Sequence, residues 1–128
     1  MSAEQFTRAA ASAEVGNRPL RVDPEGHVPV VLARLSDGTV VAFGVACPHE
    51  GNPLEEASLW GDVVDCAYHH YTYDPRTGIN QYPRSVFPAQ EAAALKALPI
   101  YEVREDGGFV WVGRRIRTQD GAESEAAS

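Results

Sequence analysis

Residues 47–78 read CPHEGNPLEEASLWGDVVDCAYHHYTYDPRTG. This stretch holds both cysteines of the chain and three of its four histidines. The order is Cys47-x-His49, sixteen intervening residues, then Cys66-x-x-His69. Two thiolates and two imidazoles in two short clusters point to a bound metal, because soft sulfur with imidazole suits zinc or an iron–sulfur cluster. A structural zinc site of Cys2His2 type accepts the same atoms in tetrahedral geometry. Structural zinc sites usually space paired ligands roughly two to four residues apart, however, and Cys47-x-His49 is tighter. The donor set alone leaves both metals open.

The pattern resembles the cluster-binding motif of Rieske proteins, in which Cys-x-His and Cys-x-x-His are separated by a longer gap. Gly51 and Leu54 fall where the family's first loop has Gly and Leu. Tyr73 sits at an aromatic position of the second loop, and Asp74, Thr77 and Gly78 continue the match. Leu98-Pro99-Ile100-Tyr101-Glu102-Val103, Asp106-Gly107-Gly108 and Phe109-Val110-Trp111-Val112 resemble the family's closing hairpin. The likeness covers roughly residues 5–113. It implies one [2Fe–2S] cluster per chain, with Cys47 and Cys66 on one iron and His49 and His69 on the other.

Around these ligands the resemblance implies further roles. High-potential members carry two extra cysteines that bridge the loops; the matching positions here are Asn52 and Tyr68, so packing and hydrogen bonds must hold the loops instead. The same members have a Ser hydroxyl on a bridging sulfide, where this chain has Tyr71, and a Tyr hydroxyl on a cysteine sulfur, where it has Tyr73. Tyr73 is therefore expected to donate to the Cys47 sulfur and raise the reduction potential, unless its hydroxyl faces solvent. His70 is expected at the exposed rim beside the cluster, as a docking residue that titrates near neutrality. His27 reads as a surface histidine in a turn far from the motif.

The chain has 128 residues, enough for one domain with a proper core, and a net charge of −7. Such a charge disfavours nucleic acid and anionic membranes as partners and suits a basic patch on another protein. Both cysteines are used by the metal, which leaves none for a disulfide and fits a reducing cytoplasm. The N-terminal MSAEQFTRAAASAEVG has no long apolar run and reads as neither signal peptide nor membrane anchor.

The expected fold is all-β: a Rieske-type antiparallel β-sandwich with a small cluster-binding subdomain at about 46–83. Residues 1–116 form one domain and 117–128 an acidic disordered tail. Phe6–Ala13 is ambiguous between strand and short helix. Strands are expected at Arg18–Asp23, Val28–Leu35, Thr39–Val45, Asp62–Cys66, Tyr71–Asp74, Leu98–Arg104 and Phe109–Val112. Ser36-Asp37-Gly38 marks a hairpin turn. Residues 48–61 read as a loop with one helical turn near Glu55–Ser58, and Glu55-Glu56 as a solvated acidic face. The long 79–97 connection is Ala-rich and predicts a short helix at 88–97.

The resemblance implies a soluble electron carrier without catalytic residues. It would take one electron from a flavin-dependent reductase and pass it to a terminal oxygenase, docking near His49 and His69. Two other functions fit the same residues: a Rieske small subunit of a multi-subunit oxidoreductase, and a zinc-stabilised binding module.

Overall fold

A computed structural model describes residues 6–48, 51, 53–66, 71–82 and 97–116, with Trp60 described by its backbone alone. Residues 88–96 of the expected helix and the tail at 117–128 lie outside the described residues, and Ala97 is described without helical structure.

The centre of the molecule is the hairpin of β3 (Val30–Arg34) and β4 (Val40–Phe43). Its sequences, VVLAR and VVAF, are apolar at consecutive positions, the pattern of a strand covered on both faces. Every residue of the two strands except Arg34 is apolar and buried, and alternate ones go to opposite sides. Val31, Ala33, Val41 and Phe43 join one core cluster, and Val30, Leu32, Val40 and Ala42 join another. Ser36-Asp37-Gly38 makes the turn, with Gly38 at φ 91°.

β1 (Thr7–Ala11), β2 (Leu20–Val22), β9 (Ile100–Asp106) and β10 (Phe109–Ile116) complete a sheet in the order β1-β10-β9-β4-β3-β2. All its pairs are antiparallel. The β4–β9 seam has only two paired positions, Ala42 with Tyr101 and Phe43 with Ile100. The sheet folds over at this seam, so that Val110 and Val112 of β10 pack on Val30, Leu32 and Ala42. This is the expected sandwich.

A second sheet, in the order β5-β6-β7-β8, covers the other face. It comprises β5 (Ser58–Trp60), β6 (Val63–Asp65), β7 (Thr72–Tyr73) and β8 (Asn80–Tyr82). Two expectations are corrected here. Ser58–Trp60 is a strand rather than the end of a loop, and Asn80–Tyr82 is a strand rather than part of the connection. β5 turns into β6 through Gly61-Asp62, both at positive φ (56° and 64°), the two-residue type I′ pattern. Phe6–Ala13 resolves as strand followed by a 3-10 turn at Ser12–Glu14, and the helical turn of the long loop is 3-10 at Leu54–Glu56.

One hairpin tip fastens the two sheets. Ser36 donates from its backbone N (2.9 Å) and Oγ (2.6 Å) to the Asp62 carboxylate. Arg76 pairs with Asp37 at 3.2 Å. The Ser36 hydrogen bonds hold the Asp62 carboxyl below its usual range, and the Thr39 backbone N–H does the same for Asp37. A carboxylate with a depressed folded pKa stabilises above its unfolded pKa and loses that contribution as pH falls through the folded value. Melting temperature is therefore expected to fall as pH drops below about 4, and less steeply in Asp62→Asn. Equal slopes in both proteins would remove Asp62 from that account.

Arg34 fastens the base. Its guanidinium donates to the carbonyls of Val15 (2.9 Å), Gly38 (2.9 Å) and Ser12 (3.1 Å) and forms a two-point pair with Glu105 (3.0 and 2.7 Å). All five N–H groups are used, a geometry that an ammonium does not reproduce. Arg34→Met is expected to cost about 2–3 kcal/mol in denaturant unfolding, with Arg34→Lys recovering less than half.

His27 also departs from expectation. It is half-buried, edge-on to Tyr101, with Nδ1 2.7 Å from the Val28 carbonyl and Nε2 2.7 Å from the Gly113 carbonyl. It ties the β2–β3 connection to β10 rather than standing in solvent.

Candidate metal centre

The two cysteines stand at the necks of two loops. In the first, Ala46 bridges to Pro53, Leu54 N donates to the Val45 carbonyl (2.9 Å), and Gly51 N donates to the Cys47 carbonyl (2.6 Å). Gly51 has φ 82°, the left-handed conformation that lets so short a loop turn back. In the second, Cys66 N donates to the Tyr71 carbonyl at 2.9 Å, closing the loop between β6 and β7. Each loop is pinched by backbone hydrogen bonds, so no bridging disulfide is needed to keep it closed.

Neither cysteine is in a disulfide, and both are inside the protein, Cys47 2% and Cys66 1% exposed. They belong to one core cluster with Leu54, Ala57, Val64, Tyr73, Leu98 and Ile100, and Tyr71 packs against it. Leu54, expected near the site from the resemblance, is fully buried beneath the first loop. His49, Tyr68, His69 and His70 lie outside the described residues. The cysteine half of the expected ligand set is thus brought together.

Tyr73 is wholly enclosed, which removes the solvent-facing alternative for its hydroxyl. That hydroxyl has no hydrogen bond of good geometry. Burial pushes its pKa far up; negative charge at Cys47 and, more weakly, Cys66 adds to this, and the Asn80 side chain opposes it. The hydroxyl therefore feels Cys47 and Asn80, with Cys66 in the same core cluster, and has no well-formed bond. A buried phenol without a partner is costly. It is accounted for if the sulfurs become metal-bound thiolates, which are strong acceptors. The soft sulfur donors, their burial and the waiting donor together fit an iron–sulfur cluster.

Sequence reasoning passed over Asn80, which is 4% exposed and stands opposite Tyr73 in the β7–β8 register. It lay in a stretch read as connection, and no local signal marks it. Glu55 was expected on a solvated face, yet it is only partly exposed, and its Oε1 is out of solvent without a hydrogen-bond partner.

A family model for the Rieske [2Fe-2S] domain matches residues 5–99. The chain belongs to this family. A Rieske domain implies a Rieske-type [2Fe–2S] cluster as its cofactor. The iron–sulfur subunit TsaM1 of the toluene-4-sulfonate monooxygenase system of Comamonas testosteroni is 31% identical over 70% of this chain and 25% of its own length. The chain spans only 14–29% of the curated relatives that it matches. Among solved structures, the ferredoxin of carbazole 1,9a-dioxygenase from Nocardioides aromaticivorans IC177 superposes with a TM-score of 0.68 at 22% identity, over 86% of this chain and 98% of that one. Dicamba monooxygenase superposes with a TM-score of 0.69 at 26% identity, over 85% of this chain and 33% of that one. The fold is a Rieske ferredoxin-like domain, similar to ferredoxins of oxygenase systems. No helix among the described residues is long and apolar enough to cross a membrane.

Proposed function

We propose that this Rieske domain is a one-electron carrier that takes an electron from a flavin-dependent reductase and delivers it to a terminal oxygenase. The observation that carries this reading is the pair of buried cysteines, outside any disulfide, at two pinched loop necks facing one buried phenol. Cys47 and Cys66 would hold one iron as thiolates. By the family resemblance His49 and His69 would hold the other iron, and partners would dock near them and His70. The cluster supplies a single reversible electron, and neutral imidazoles in place of two thiolates make its reduction easier.

The protein's own contribution is to bury the sulfur side in apolar packing and to exclude water from it. The domain carries no catalytic residue and performs no substrate chemistry alone. The use of both cysteines as ligands leaves none for a disulfide and supports a cytoplasmic setting.

Tyr73 tunes the site. A hydroxyl directed at the Cys47 sulfur favours the more negative, reduced state. Tyr73→Phe is expected to lower the midpoint potential by about 59 mV or less, which is up to tenfold in the one-electron equilibrium. A redox titration that finds no shift removes Tyr73 from this role.

The deciding experiment is an absorption and low-temperature EPR spectrum of the purified protein before and after dithionite. Visible absorption that bleaches, with a rhombic signal of the reduced protein, supports the carrier. A colourless protein with one zinc per chain overturns it in favour of a binding module. Co-elution with a large partner at fixed stoichiometry points instead to a small subunit.

A further inference from the structure

Asn80 carries a buried amide, 4% exposed. It faces Tyr73 directly across the β7–β8 pair, so both side chains enter the same face of the sheet, the face that meets Cys47 and Cys66. A bulge between Thr72 and Tyr73 sets this register, since Thr72 pairs with Tyr82 and Tyr73 with Asn80. A strand without that irregularity would put a different residue opposite the phenol.

The Asn80 amide has a defined orientation. Its Nδ2 donates to the Tyr82 carbonyl at 3.0 Å, and only the nitrogen end of the amide has a proton to give. The same nitrogen carries a second proton. The Tyr73 hydroxyl has one proton and two lone pairs, and a thiolate sulfur has no proton at all. Three groups with these capacities can satisfy one another in a relay that keeps the phenol as donor to the sulfur. Asn80 donates to the Tyr73 oxygen, and Tyr73 then donates to the Cys47 sulfur. If Tyr73 instead gave its proton to the amide oxygen, the sulfur would lose the phenol as a donor. The opposing actions of Asn80 and Cys47 on the Tyr73 hydroxyl agree with the first order, in which one side donates and the other accepts.

We propose that Asn80 is a positioning residue that turns the Tyr73 hydroxyl proton onto the Cys47 sulfur and so raises the reduction potential of the centre. The proposal rests on the cluster reading above. A hydrogen-bond chain polarises along its length, so the donor at the far end strengthens the bond at the sulfur. A stronger donor to the sulfur favours the state with the extra negative charge. The role belongs to hydrogen-bond geometry and not to titration of Tyr73 or Asn80.

The test is a double-substitution cycle on the full-length, cluster-loaded protein. Midpoint potentials are measured for the parent, Asn80→Leu, Tyr73→Phe and the double variant. Asn80→Leu is expected to lower the reduced-to-oxidised ratio at fixed ambient potential about threefold to tenfold, where tenfold is 59 mV. In the Tyr73→Phe background the same change is expected to shift the ratio by less than about 1.5-fold, because the relay is already gone. Fe–S stretching bands in resonance Raman are expected to shift in D2O for the parent and not for Asn80→Leu. Should Asn80→Leu fail to load, Asn80→Ser carries the same cycle with smaller steric change. Equal shifts in both backgrounds, or no shift in a loaded protein, overturn the role of Asn80. A parent protein without the cluster spectrum overturns the electron-carrier reading instead, so the two failures are distinguishable.

Discussion

Cys66→Ser is expected to yield a protein with little visible absorption, its iron content per chain reduced on the order of tenfold or more. The chain has two cysteines, so no other thiol is available to replace the lost ligand. A serine oxygen is a hard donor in a place that calls for a soft one. The substitution also puts a hydroxyl into a site that is 1% exposed, among Val64, Tyr73 and Leu98. Any stability that cluster binding confers on the folded state is lost with it. The backbone hydrogen bond from Cys66 N to the Tyr71 carbonyl does not depend on the side chain, so the loop neck and the β6–β7 pair are expected to persist. Iron analysis and visible absorption, with circular dichroism to check the fold, make the measurement. A Cys66→Ser protein with parental absorbance and iron would mean that Cys66 is not a ligand.

Gly78→Ala is expected to destabilise the protein by about 3–4 kcal/mol, a large part of the roughly 5–15 kcal/mol that holds a domain together. Gly78 has φ 83°, which costs a residue with a Cβ about 1–2 kcal/mol. A Cβ there would also run into the carbonyl of Leu98 and stand 3.0 Å from Ile100 Cγ1. The backbone has no room to yield. Gly78 N donates to the Asp74 carbonyl (2.7 Å), and the Gly78 carbonyl accepts from Leu98 N (2.8 Å). This contact lies just before β9, so displacement of Leu98 disturbs the core cluster it shares with Val64, Tyr73 and Ile100. Thermal unfolding is expected to move down by about 10–20 °C. Gly38→Ala is the control: φ is 91°, but nothing lies within 4 Å of its Cβ, so only the conformational cost of about 1–2 kcal/mol applies. Equal losses at the two positions would show that the Leu98 contact is unimportant.

Much of the centre was legible in the chain because its chemistry is carried by residue type and spacing. The spacing of Cys47, His49, Cys66 and His69 suggests a metal whatever the strands do, and the structure describes the cysteine half of that set. The β3–β4 hairpin was equally plain. Its continuous apolar runs say that both faces are covered, and Ser36-Asp37-Gly38 supplies the turn. The strand β5 had a signal that went unused: Gly61-Asp62 between Leu59-Trp60 and Val63-Val64 is a two-residue hairpin turn. Length hid it, because three residues show no convincing alternation.

Other features exist only once the chain has folded. Asn80 acquires its meaning from a bulge that sets it opposite Tyr73, and register is a relation between strands that neither strand encodes alone. Arg34 looks like any strand-end arginine until Ser12, Val15, Gly38 and Glu105 converge on it from four segments. His27 meets the Gly113 carbonyl across 86 residues of chain. The local sequence carries propensity, turn chemistry and ligand identity, because these depend on a residue and its near neighbours. Partnership across the sheets is set by packing, since the same side chain is a surface charge or a buried strut according to what the rest of the chain brings to it.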